Sequence, residues 1–437
     1  MGNVKKKILL LSTGDVNGAY EAIYRLSCLF IEEGNEVVML VKYKTRVKDF
    51  IIQYQPLKNY KSKVGIFDRL INKIKKRFFQ SKKRVENKIS FDPNYNFISV
   101  DETSTNVSSS KIIEQIGFIP DYIYSGMTND FMNSTDLLNL QILTNSHIYN
   151  VSVDMNHFTG GCHFAWDCKG YITGCDSKCP AILSEVGREL AKINFQTKLE
   201  NARKGNFEII GMSDWTVRQS KQSKIYSDQN IVYNINSIID TKILHNRNRS
   251  YAKEIFNLNP DKFYVLMGCQ NSNDKRKGFE YLVEALNILE NNISTEQKDR
   301  IEILIVSRQI SQSFHNIPFK KANIDYINDY RLLTLLYQAA DVFVNSSIED
   351  SGPMMVSEAL ACGTPVVGFD MGVVNNMVIN NYNGYKAELK NSADLALGVQ
   401  NILYLSEDEY AKYSLNAVKQ VEVFSSFDAI KELNLNK

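Results

Sequence analysis

The stretch KKILLLSTGDVNGAYEAIYRLSCLFIEEGNEVVMLVKYK, residues 6–44, decides the fold class of this chain. An apolar run at Ile8–Leu11 is followed by a Gly/Asn loop, by apolar residues at helical spacing, and by a second apolar run at Val37–Val41. This order predicts a β-α-β unit, in which two parallel strands flank a helix. Because neither apolar run alternates with polar residues, we expect both strands to be covered on both faces, as in a parallel sheet.

The same alternation continues along the chain. In the first half, further strands are predicted at Asp121–Tyr124, Ile148–Val153 and Phe207–Met212. In the second half, strands are predicted at Phe263–Met267, Ile301–Val306, Ile324–Ile327 and Val342–Val344, with helices at 280–289 and 332–340. Alternating strands and helices in both halves predict an α/β protein of two doubly wound, Rossmann-like domains that face each other across a ligand-binding cleft.

The length of 437 residues is also too great for one ordinary core. We place the domains at residues 1–240 and 241–437, because clear periodicity is lost around 234–249, and we allow the last helix to cross back. No apolar run reaches the roughly 18 residues of a membrane span, and the N-terminal apolar run is shorter than that of a signal peptide. The protein is therefore expected to be cytoplasmic.

A second informative stretch is EDSGPMMVSEALACGTPVVGFD, residues 349–370, which joins a predicted strand to the next helix. Pro353 suits the first turn of that helix, because proline lacks the N–H group that would be unsatisfied there. The backbone N–H groups of Met354, Met355 and Val356 would then form an anion site together with the helix dipole.

Three acids and a glycine surround this predicted anion site: Glu349, Asp350, Gly352 and Glu358. The glycine allows a ligand to approach the backbone closely. Carboxylates beside an anion site fit a ligand that combines phosphates with hydroxyl groups, such as a nucleotide sugar. The alternative interpretation is that the acids only cap the helix.

These residues resemble the retaining glycosyltransferases of family GT4, which have the GT-B fold. That family carries an E-x7-E motif before a helix reading EA-x-A-x-G-x-PVV. This chain has Asp350 in the first acidic position and Glu358 in the second, followed by EALACGTPVVGFD. The resemblance implies that Asp350, or the adjacent Glu349, faces the donor sugar and that Glu358 binds the ribose hydroxyls.

The segment KRKGFEYLVEAL, residues 275–286, resembles the phosphate-binding segment of the same family. The resemblance makes Lys277 the expected cation for the donor diphosphate. Arg276 is expected to replace an arginine that the family carries after the preceding strand, where this chain reads GCQNS. A solvated loop lysine is the alternative interpretation of Lys277.

Two further segments resemble the family. One is LLYQAADVFVNSS, residues 335–347. The other is GDVNGAYEAIYRLS, residues 14–27, which resembles the N-terminal glycine loop of the family. This second resemblance implies a donor contact at Gly18. The resemblance implies transfer from a UDP- or GDP-linked sugar, with retention and without a catalytic metal. The implied acceptor is a saccharide or lipid-linked saccharide in surface polysaccharide synthesis.

The segment VDMNHFTGGCHFAWDCKGYITGCDSKCP, residues 153–180, resembles part of the GT4 enzymes of surface-polysaccharide clusters. A histidine that those enzymes carry is Val153 in this chain. The resemblance leaves Asp154 as a candidate catalytic group. His157 and His163 are candidates for acceptor handling or proton transfer.

Four of the seven cysteines fall in this segment: Cys162, Cys168, Cys175 and Cys179. In a reducing compartment, four such thiols can hold a structural zinc ion in a closed tetrahedral site. Free structural cysteines or a disulfide are the alternatives, because the spacing is looser than in paired C-x2-C motifs.

Residues 58–88 contain twelve Lys/Arg against two acids. Within them, GIFDRLINKIKKRFF has apolar residues at helical spacing, which is typical of a helix lying on an anionic membrane. This predicts peripheral contact with the inner face of the cell membrane, while a helix packed on its own domain is the alternative. Nucleic-acid binding is not expected, because no recognition module accompanies the charge.

Two other functions stay open at the level of the sequence. A sugar-nucleotide epimerase could share the architecture and would act on the donor without an acceptor. A catalytically inactive protein could bind the nucleotide sugar without transferring it. Fold analogy alone does not decide among the three functions.

Overall fold

The computed structural model describes residues 5–16, 18–56, 89–98, 101–228 and 231–432. The predicted membrane helix within 58–88 lies outside these residues, as does Asn17 of the predicted glycine loop. The chain divides into two compact units, unit 1 (Met1–Ile210 and Gln219–Val232) and unit 2 (Gly211–Arg218 and Tyr233–Lys437). The domain boundary predicted at residue 240 stays a prediction.

The first sheet is parallel where its described strand pairs are given. Its strands are β1 (Lys7–Ser12), β2 (Glu36–Val41), β3 (Ile51–Gln53), β4 (Tyr122–Ser125), β5 (His147–Ser152), β6 (Glu208–Gly211) and β7 (Ile231–Asn234). Their order is β3-β2-β1-β4-β5-β6-β7. The direction of winding therefore reverses between β1 and β4.

The second sheet is also parallel. Its strands are β8 (Phe263–Gly268), β9 (Ile301–Val306), β10 (Lys320–Ile324), β11 (Val342–Asn345), β12 (Val366–Phe369) and β13 (Gly384–Ala387). The order β10-β9-β8-β11-β12-β13 reverses the winding between β8 and β11.

Helices connect the strands. In the described residues they are Gly18–Glu32, Ser109–Ile116, Ser134–Thr144, Gly170–Thr173, Leu190–Gly205, Asp214–Gln222, Arg249–Ile255, Phe279–Asn291, Thr295–Asp299, Tyr330–Ala339, Met354–Ala361, Val374–Met377, Ser392–Leu403, Glu407–Phe424 and Phe427–Glu432. Within the same residues, none of these helices combines the length and the apolar character that crossing a membrane requires.

The expectation that β1 is covered on both faces is confirmed, because Ile8, Leu9, Leu10 and Leu11 are all buried. The same is seen in β8. Val265 and Met267 belong to one buried cluster, whereas Tyr264 and Leu266, which point to the opposite face, belong to another. Alternate side chains of a strand face opposite sides, so both faces of this sheet are packed against helices.

The strand predicted at Ile324–Ile327 is wrong, because the observed strand β10 is Lys320–Ile324. It pairs with β9 in the register that joins Lys320 to Glu302 and Ile324 to Val306. As the edge strand of the sheet it has polar, largely exposed residues, so it lacks the apolar run on which the prediction relied.

Candidate functional site

The loops that follow β8 and β11 meet where the strand order of the second sheet reverses. In open α/β sheets, ligands bind at such a point, beyond the carboxyl ends of the strands. Lys277 ends the short 3-10 turn Lys275–Lys277 after β8, and Asp350 lies in the loop after β11. The Lys277 ammonium forms an ion pair with the Asp350 carboxylate, across 73 positions of sequence.

Asp350 is 7% exposed. Burial alone would raise the pKa of its carboxyl group, but the positive charges of Lys277 and Arg276 outweigh burial and lower that pKa below its ordinary value. The Gly352 N–H also donates to Asp350 Oδ1 at 3.3 Å. The carboxylate is therefore ionised at neutral pH and held at the edge of the sheet.

Main-chain contacts fasten the two loops to each other. The Ile348 N–H donates to the Arg276 carbonyl at 2.7 Å, and the Ser346 hydroxyl donates to the Lys277 carbonyl at 2.9 Å. Gly278 has a φ of +60°, and a Cβ there would lie 1.9 Å from the Ser346 carbonyl oxygen. Only glycine fits this close approach of two backbones.

The neighbouring charged groups take different partners. The Arg276 guanidinium forms an ion pair with the Asp274 carboxylate. The Glu349 N–H lies 3.4 Å from the Arg276 carbonyl oxygen. The carboxylate of Asp350, one of the two candidates for the first acidic position, contacts Lys277.

The helix predicted to begin near Pro353 is present as Met354–Ala361, with Pro353 as its N-cap. One detail of the predicted anion site is wrong, because the Val356 N–H donates to the Pro353 carbonyl at 3.0 Å. The Met355 side chain packs on the end of β8, where a Cβ at Gly268 would lie 2.0 Å from the Met355 Cε. The role predicted for the backbone N–H groups of Met354 and Met355 stays a prediction.

Glu358 is buried one turn into this helix, where the Tyr337 hydroxyl donates to its Oε2 at 2.9 Å. Tyr337 is also fully buried, and burial together with the nearby Glu358 carboxylate raises the pKa of its phenol well above the ordinary value. The phenol therefore stays protonated and acts as a donor. Tyr337 is not among the residues predicted from the sequence, although it lies in the segment 335–347 that resembles the family.

In unit 1, Asp154 and His163 form a buried pair. The His163 Nδ1–H donates to Asp154 Oδ2 at 2.6 Å, and the Asn156 N–H donates to Asp154 Oδ1 at 2.8 Å. Burial alone would raise the pKa of Asp154, but His163 outweighs it and the pKa is lowered. Both Asp154 oxygens are thus engaged within the fold.

His157 has a different hydrogen-bond partner, because its Nε2–H donates to the Gly126 carbonyl at 3.0 Å. It borders a polar cavity of about 20 Å³ that Glu102 and Lys198 also line. The nitrogen of Lys198 lies 3.4 Å from the Glu102 carboxylate. Burial, helped by Lys198, lowers the pKa of His157 to about 4, so its ring is neutral at pH 7.

Gly18 opens the helix Gly18–Glu32 after β1, with a φ of +46°. Apart from the adjoining residues and the backbone of its own helix, no atom of the described residues lies within 4 Å of the place that a Cβ would take. The glycine is therefore needed for its backbone conformation and leaves space beside the chain.

All four clustered cysteines are free. A Cβ at Gly170 would lie 3.3 Å from the Cys175 sulfur and 3.4 Å from the Cys168 sulfur, and Cys162 packs with Cys175 and Cys179 in one apolar cluster. The thiols thus lie close together. Across the described ranges, however, no group of three or more His, Cys, Asp or Glu side chains is arranged to hold a metal ion.

Comparison with known proteins adds two findings. Residues 217–420 match the family described as Glycosyl transferases group 1. A relative from Campylobacter jejuni, the N,N'-diacetylbacillosaminyl-diphospho-undecaprenol alpha-1,3-N-acetylgalactosaminyltransferase, is 30% identical over 174 residues, which are 39% of this chain and 43% of the relative. The chain spans 41% and 43% of the length of the curated relatives that it matches, less than half in each case.

Solved structures are similar over nearly the whole chain. Sucrose-phosphate synthase from Thermosynechococcus elongatus has a TM-score of 0.64 at 16% identity, covering 99% of this chain and 98% of its own. HepE from Anabaena, in complex with UDP and glucose, has a TM-score of 0.60 at 14% identity, covering 98% and 97%. The predicted fold class is thereby confirmed as two Rossmann-like α/β units of the GT-B type.

Proposed function

We propose that this chain is a glycosyltransferase that moves a sugar from a nucleotide-sugar donor to a saccharide or lipid-linked saccharide acceptor. The observation that carries the proposal is the contact between Lys277 and the ionised Asp350 at the reversal point of the second sheet. A cation for a diphosphate and a carboxylate for sugar hydroxyls lie together there. The match of residues 217–420 to a glycosyltransferase family supports the same function.

In the proposed reaction, the acceptor hydroxyl oxygen bonds to the anomeric carbon of the donor sugar while the bond to the diphosphate oxygen breaks. The hydroxyl proton passes to an oxygen of the leaving diphosphate. Negative charge develops on the leaving diphosphate and is stabilised by Lys277, by Arg276 and by the N–H groups of Met354 and Met355. These fixed positive groups supply the stabilisation that a metal ion gives elsewhere, so we propose a reaction without a catalytic metal. Glu358 would bind the ribose.

The finer details are also proposals. We propose a UDP- or GDP-linked donor, retention at the anomeric carbon, and a place in surface polysaccharide synthesis. The similar structure of HepE contains UDP and glucose, and the Campylobacter relative is named for a lipid-diphosphate-linked acceptor. Such an acceptor would bring the enzyme to a membrane face, which agrees with the basic composition of residues 58–88.

The acceptor-side roles of Asp154, His157 and His163 stay predictions. The epimerase and the inactive binding protein are not favoured, because the relative and the matched family are both named as transferases. An epimerase would also convert the donor sugar without any acceptor, so incubation with donor alone separates the two enzymes.

Calorimetric titration with UDP, GDP, ADP and CMP tests the donor site directly, using the wild type, Glu358→Ala and Lys277→Met. We expect one nucleoside diphosphate to bind selectively, and both variants to weaken it at least tenfold, as expected for losing a hydrogen bond to a charged group. Lys275→Met is the matched control, because Lys275 belongs to the same turn and is exposed.

Binding of none of the four nucleotides, or equal binding by the wild type and Glu358→Ala, would refute the proposed site. The nucleotide that binds then selects the sugar donors for transfer assays. Such assays in the presence of EDTA test the proposal that no catalytic metal is needed, since chelation should leave the rate unchanged.

A structural zinc site at Cys162, Cys168, Cys175 and Cys179 also stays a prediction. Their convergence supports it, as does the Gly170 N–H, which donates to the Cys168 sulfur at 3.4 Å and would stabilise a thiolate there. Metal analysis of the purified protein should give one zinc per chain, lost in Cys168→Ser and kept in Cys28→Ser. Absence of zinc from the wild type would leave four structural thiols.

A further inference from the structure

Three loops of unit 1 meet at the carboxyl end of the first sheet, where its strand order reverses between β1 and β4. The Thr13 N–H, in the loop after β1, donates to the Met127 carbonyl in the loop after β4 at 2.8 Å. The Tyr43 N–H, in the loop after β2, donates to the Thr13 carbonyl at 2.9 Å. Ligands of doubly wound sheets bind at this position. Exposed side chains here are therefore placed to contact a ligand.

An aromatic ring and a carboxylate lie side by side on this surface. Tyr43 is 54% exposed, and its hydroxyl lies 3.5 Å from Asp130 Oδ2. The Asp130 side chain is 66% exposed and forms an ion pair with the Lys42 nitrogen at 2.7 Å. The Lys42 nitrogen also lies 5.2 Å from the centre of the Tyr43 ring.

A second tyrosine, Tyr20, lies beside the loop after β1. A Cβ at Gly14 would lie 3.1 Å from the Tyr20 ring, so this ring packs against the loop after β1. Burial raises the pKa of the Tyr20 phenol, and the carboxylates of Asp154 and Asp130 raise it further. Tyr20 therefore lies within electrostatic reach of both acids.

The surface is held rigid beneath Tyr43. The N–H groups of Thr45 and Arg46 donate to the buried Asp15 carboxylate at 2.8 to 3.0 Å. The exposed ion pair of Lys42 with Asp130 contributes little to stability by itself, and an exposed ring contributes little burial. A rigid surface that presents such groups to solvent is preorganised for a ligand.

We propose that Tyr43, Asp130 and Lys42 form a saccharide-binding surface. A pyranose ring would lay its C–H face on the Tyr43 ring, donate hydroxyl hydrogens to Asp130, and accept a hydrogen bond from Lys42. An anionic ligand is disfavoured by the Asp130 carboxylate. The inference rests on the proposed function, for which it names the surface that holds the acceptor sugar.

Saturation-transfer difference NMR tests this surface with the methyl glycosides of glucose, galactose, N-acetylglucosamine and N-acetylgalactosamine. At least one glycoside should receive saturation from the wild-type protein. We expect the signal to fall about fivefold or more in Tyr43→Ala, through loss of the aromatic contact, and similarly in Asp130→Asn. Asparagine tolerates the positive φ of +61° found at Asp130.

Tyr251→Ala is the matched control, because Tyr251 is 52% exposed and lies in unit 2. Tyr43→Phe keeps the ring and should keep most of the signal. No signal with the wild type, or an unchanged signal in Tyr43→Ala, overturns the inference. Calorimetry with UDP and GDP on the same samples tests the donor site separately from the saccharide-binding surface. Nucleotide binding without glycoside binding would refute the saccharide-binding surface and would still support the proposed function.

Discussion

The reversal points of the two sheets are the same architectural feature built with different chemistry. In the second sheet, the loops after β8 and β11 are joined by the ion pair of Lys277 with the buried Asp350. In the first sheet, the corresponding loops are joined mainly through backbone groups such as the Thr13 N–H and the Met127 carbonyl, while Asp130 and Tyr43 remain exposed.

This difference in chemistry between the two reversal points matches two ligands of the proposed reaction, the diphosphate and the sugar. A leaving diphosphate needs fixed charge in a place that excludes water, because electrostatic stabilisation is stronger there. A sugar needs hydrogen bonds and a flat apolar surface that solvent can reach. Under the two proposals, the second sheet would bind the diphosphate and the first sheet would bind the sugar. Each proposal can therefore be tested by substitutions that should leave the other site unchanged.

The largest effect is expected from Lys277→Met, which removes the cation but keeps most of the apolar stem. Asp350 would then be a buried carboxylate without its closest cation, which costs about 3 kcal/mol of stability. Loss of charge stabilisation at the diphosphate should lower the transfer rate by about 100-fold or more. Urea denaturation and transfer assays measure the two effects.

Lys275→Met controls for the loss of one positive charge in the same turn, since Lys275 is exposed. It should change the stability by less than about 0.5 kcal/mol. Equal changes in stability and in transfer rate for Lys277→Met and Lys275→Met would mean that the ion pair with Asp350 contributes nothing beyond one positive charge. The proposed chemical difference between the two reversal points would then be wrong. Glycoside binding at Tyr43 should survive in both.

How far the sequence predicted this site depends on where the partners lie along the chain. Lys277, Asp350 and Glu358 were identified because each belongs to a contiguous motif whose spacing is set by one strand, loop and helix. Asp130 and Tyr43 were missed, because 87 positions separate them and each is an ordinary loop residue by itself. Sheet topology brings them together, and no local pattern reports it.

The same limit applies to Tyr337 and to β10. Tyr337 gains its significance only from a hydrogen bond to Glu358, formed when two helices pack on the second sheet. The edge strand Lys320–Ile324 is specified by its pairing with β9, and its polar side chains give no strand pattern. The buried strands were predicted well, because burial on both faces demands apolar runs.

A large effect on stability is expected from Gly278→Ala. The new Cβ would meet the Ser346 carbonyl oxygen at 1.9 Å, and alanine is also strained at a φ of +60°. We expect destabilisation of about 3 kcal/mol, together with weaker nucleotide binding, because the two loops must separate. Thermal denaturation and calorimetry measure the changes.

Gly34→Ala is the control from unit 1, since Gly34 has a φ of +85° but open space around it. In that variant, the free energy of unfolding should fall only by the cost of placing alanine at a positive φ, about 1 to 2 kcal/mol. Equal losses in the two variants would mean that contact between the loops of the second sheet adds nothing beyond the backbone conformation.

A smaller and more selective effect is expected from Tyr337→Phe, which keeps the packing of the buried ring and removes the donor to Glu358. If Glu358 binds the donor, its altered position should raise the KM for the nucleotide sugar about tenfold, the equivalent of one hydrogen bond to a charged group. The kcat should change less.

Tyr264→Phe provides the comparison, because Tyr264 is equally buried in unit 2 and its hydroxyl accepts the Asn259 N–H at 2.8 Å, away from Glu358. A comparable rise in KM for both variants would assign the effect to general loosening of unit 2. A fall in kcat alone would place Tyr337 outside the donor site.

The smallest effect concerns acid, where the two reversal points should respond in different ranges of pH. Burial lowers the pKa of His157 from 6.5 to about 4. Between these two pH values, His157 is therefore protonated in the unfolded chain and neutral in the folded chain. Stability should therefore fall as the pH drops below 6.5 and level off below about 4. Between pH 6.5 and 5.5 the loss is about 1 kcal/mol.

His157→Gln should remove this dependence, because glutamine can still donate to the Gly126 carbonyl but does not titrate. His147→Gln, at an exposed position, should leave it unchanged. Asp350 responds at lower pH, since its pKa is lowered and its stabilising charge is lost only as the pH falls through the carboxylate range. Urea denaturation at pH 7.0, 6.0 and 5.0 compares the variants. An identical pH dependence in the wild type and His157→Gln would show that His157 is not held neutral, and that its hydrogen bond to the loop after β4 does not depend on its protonation.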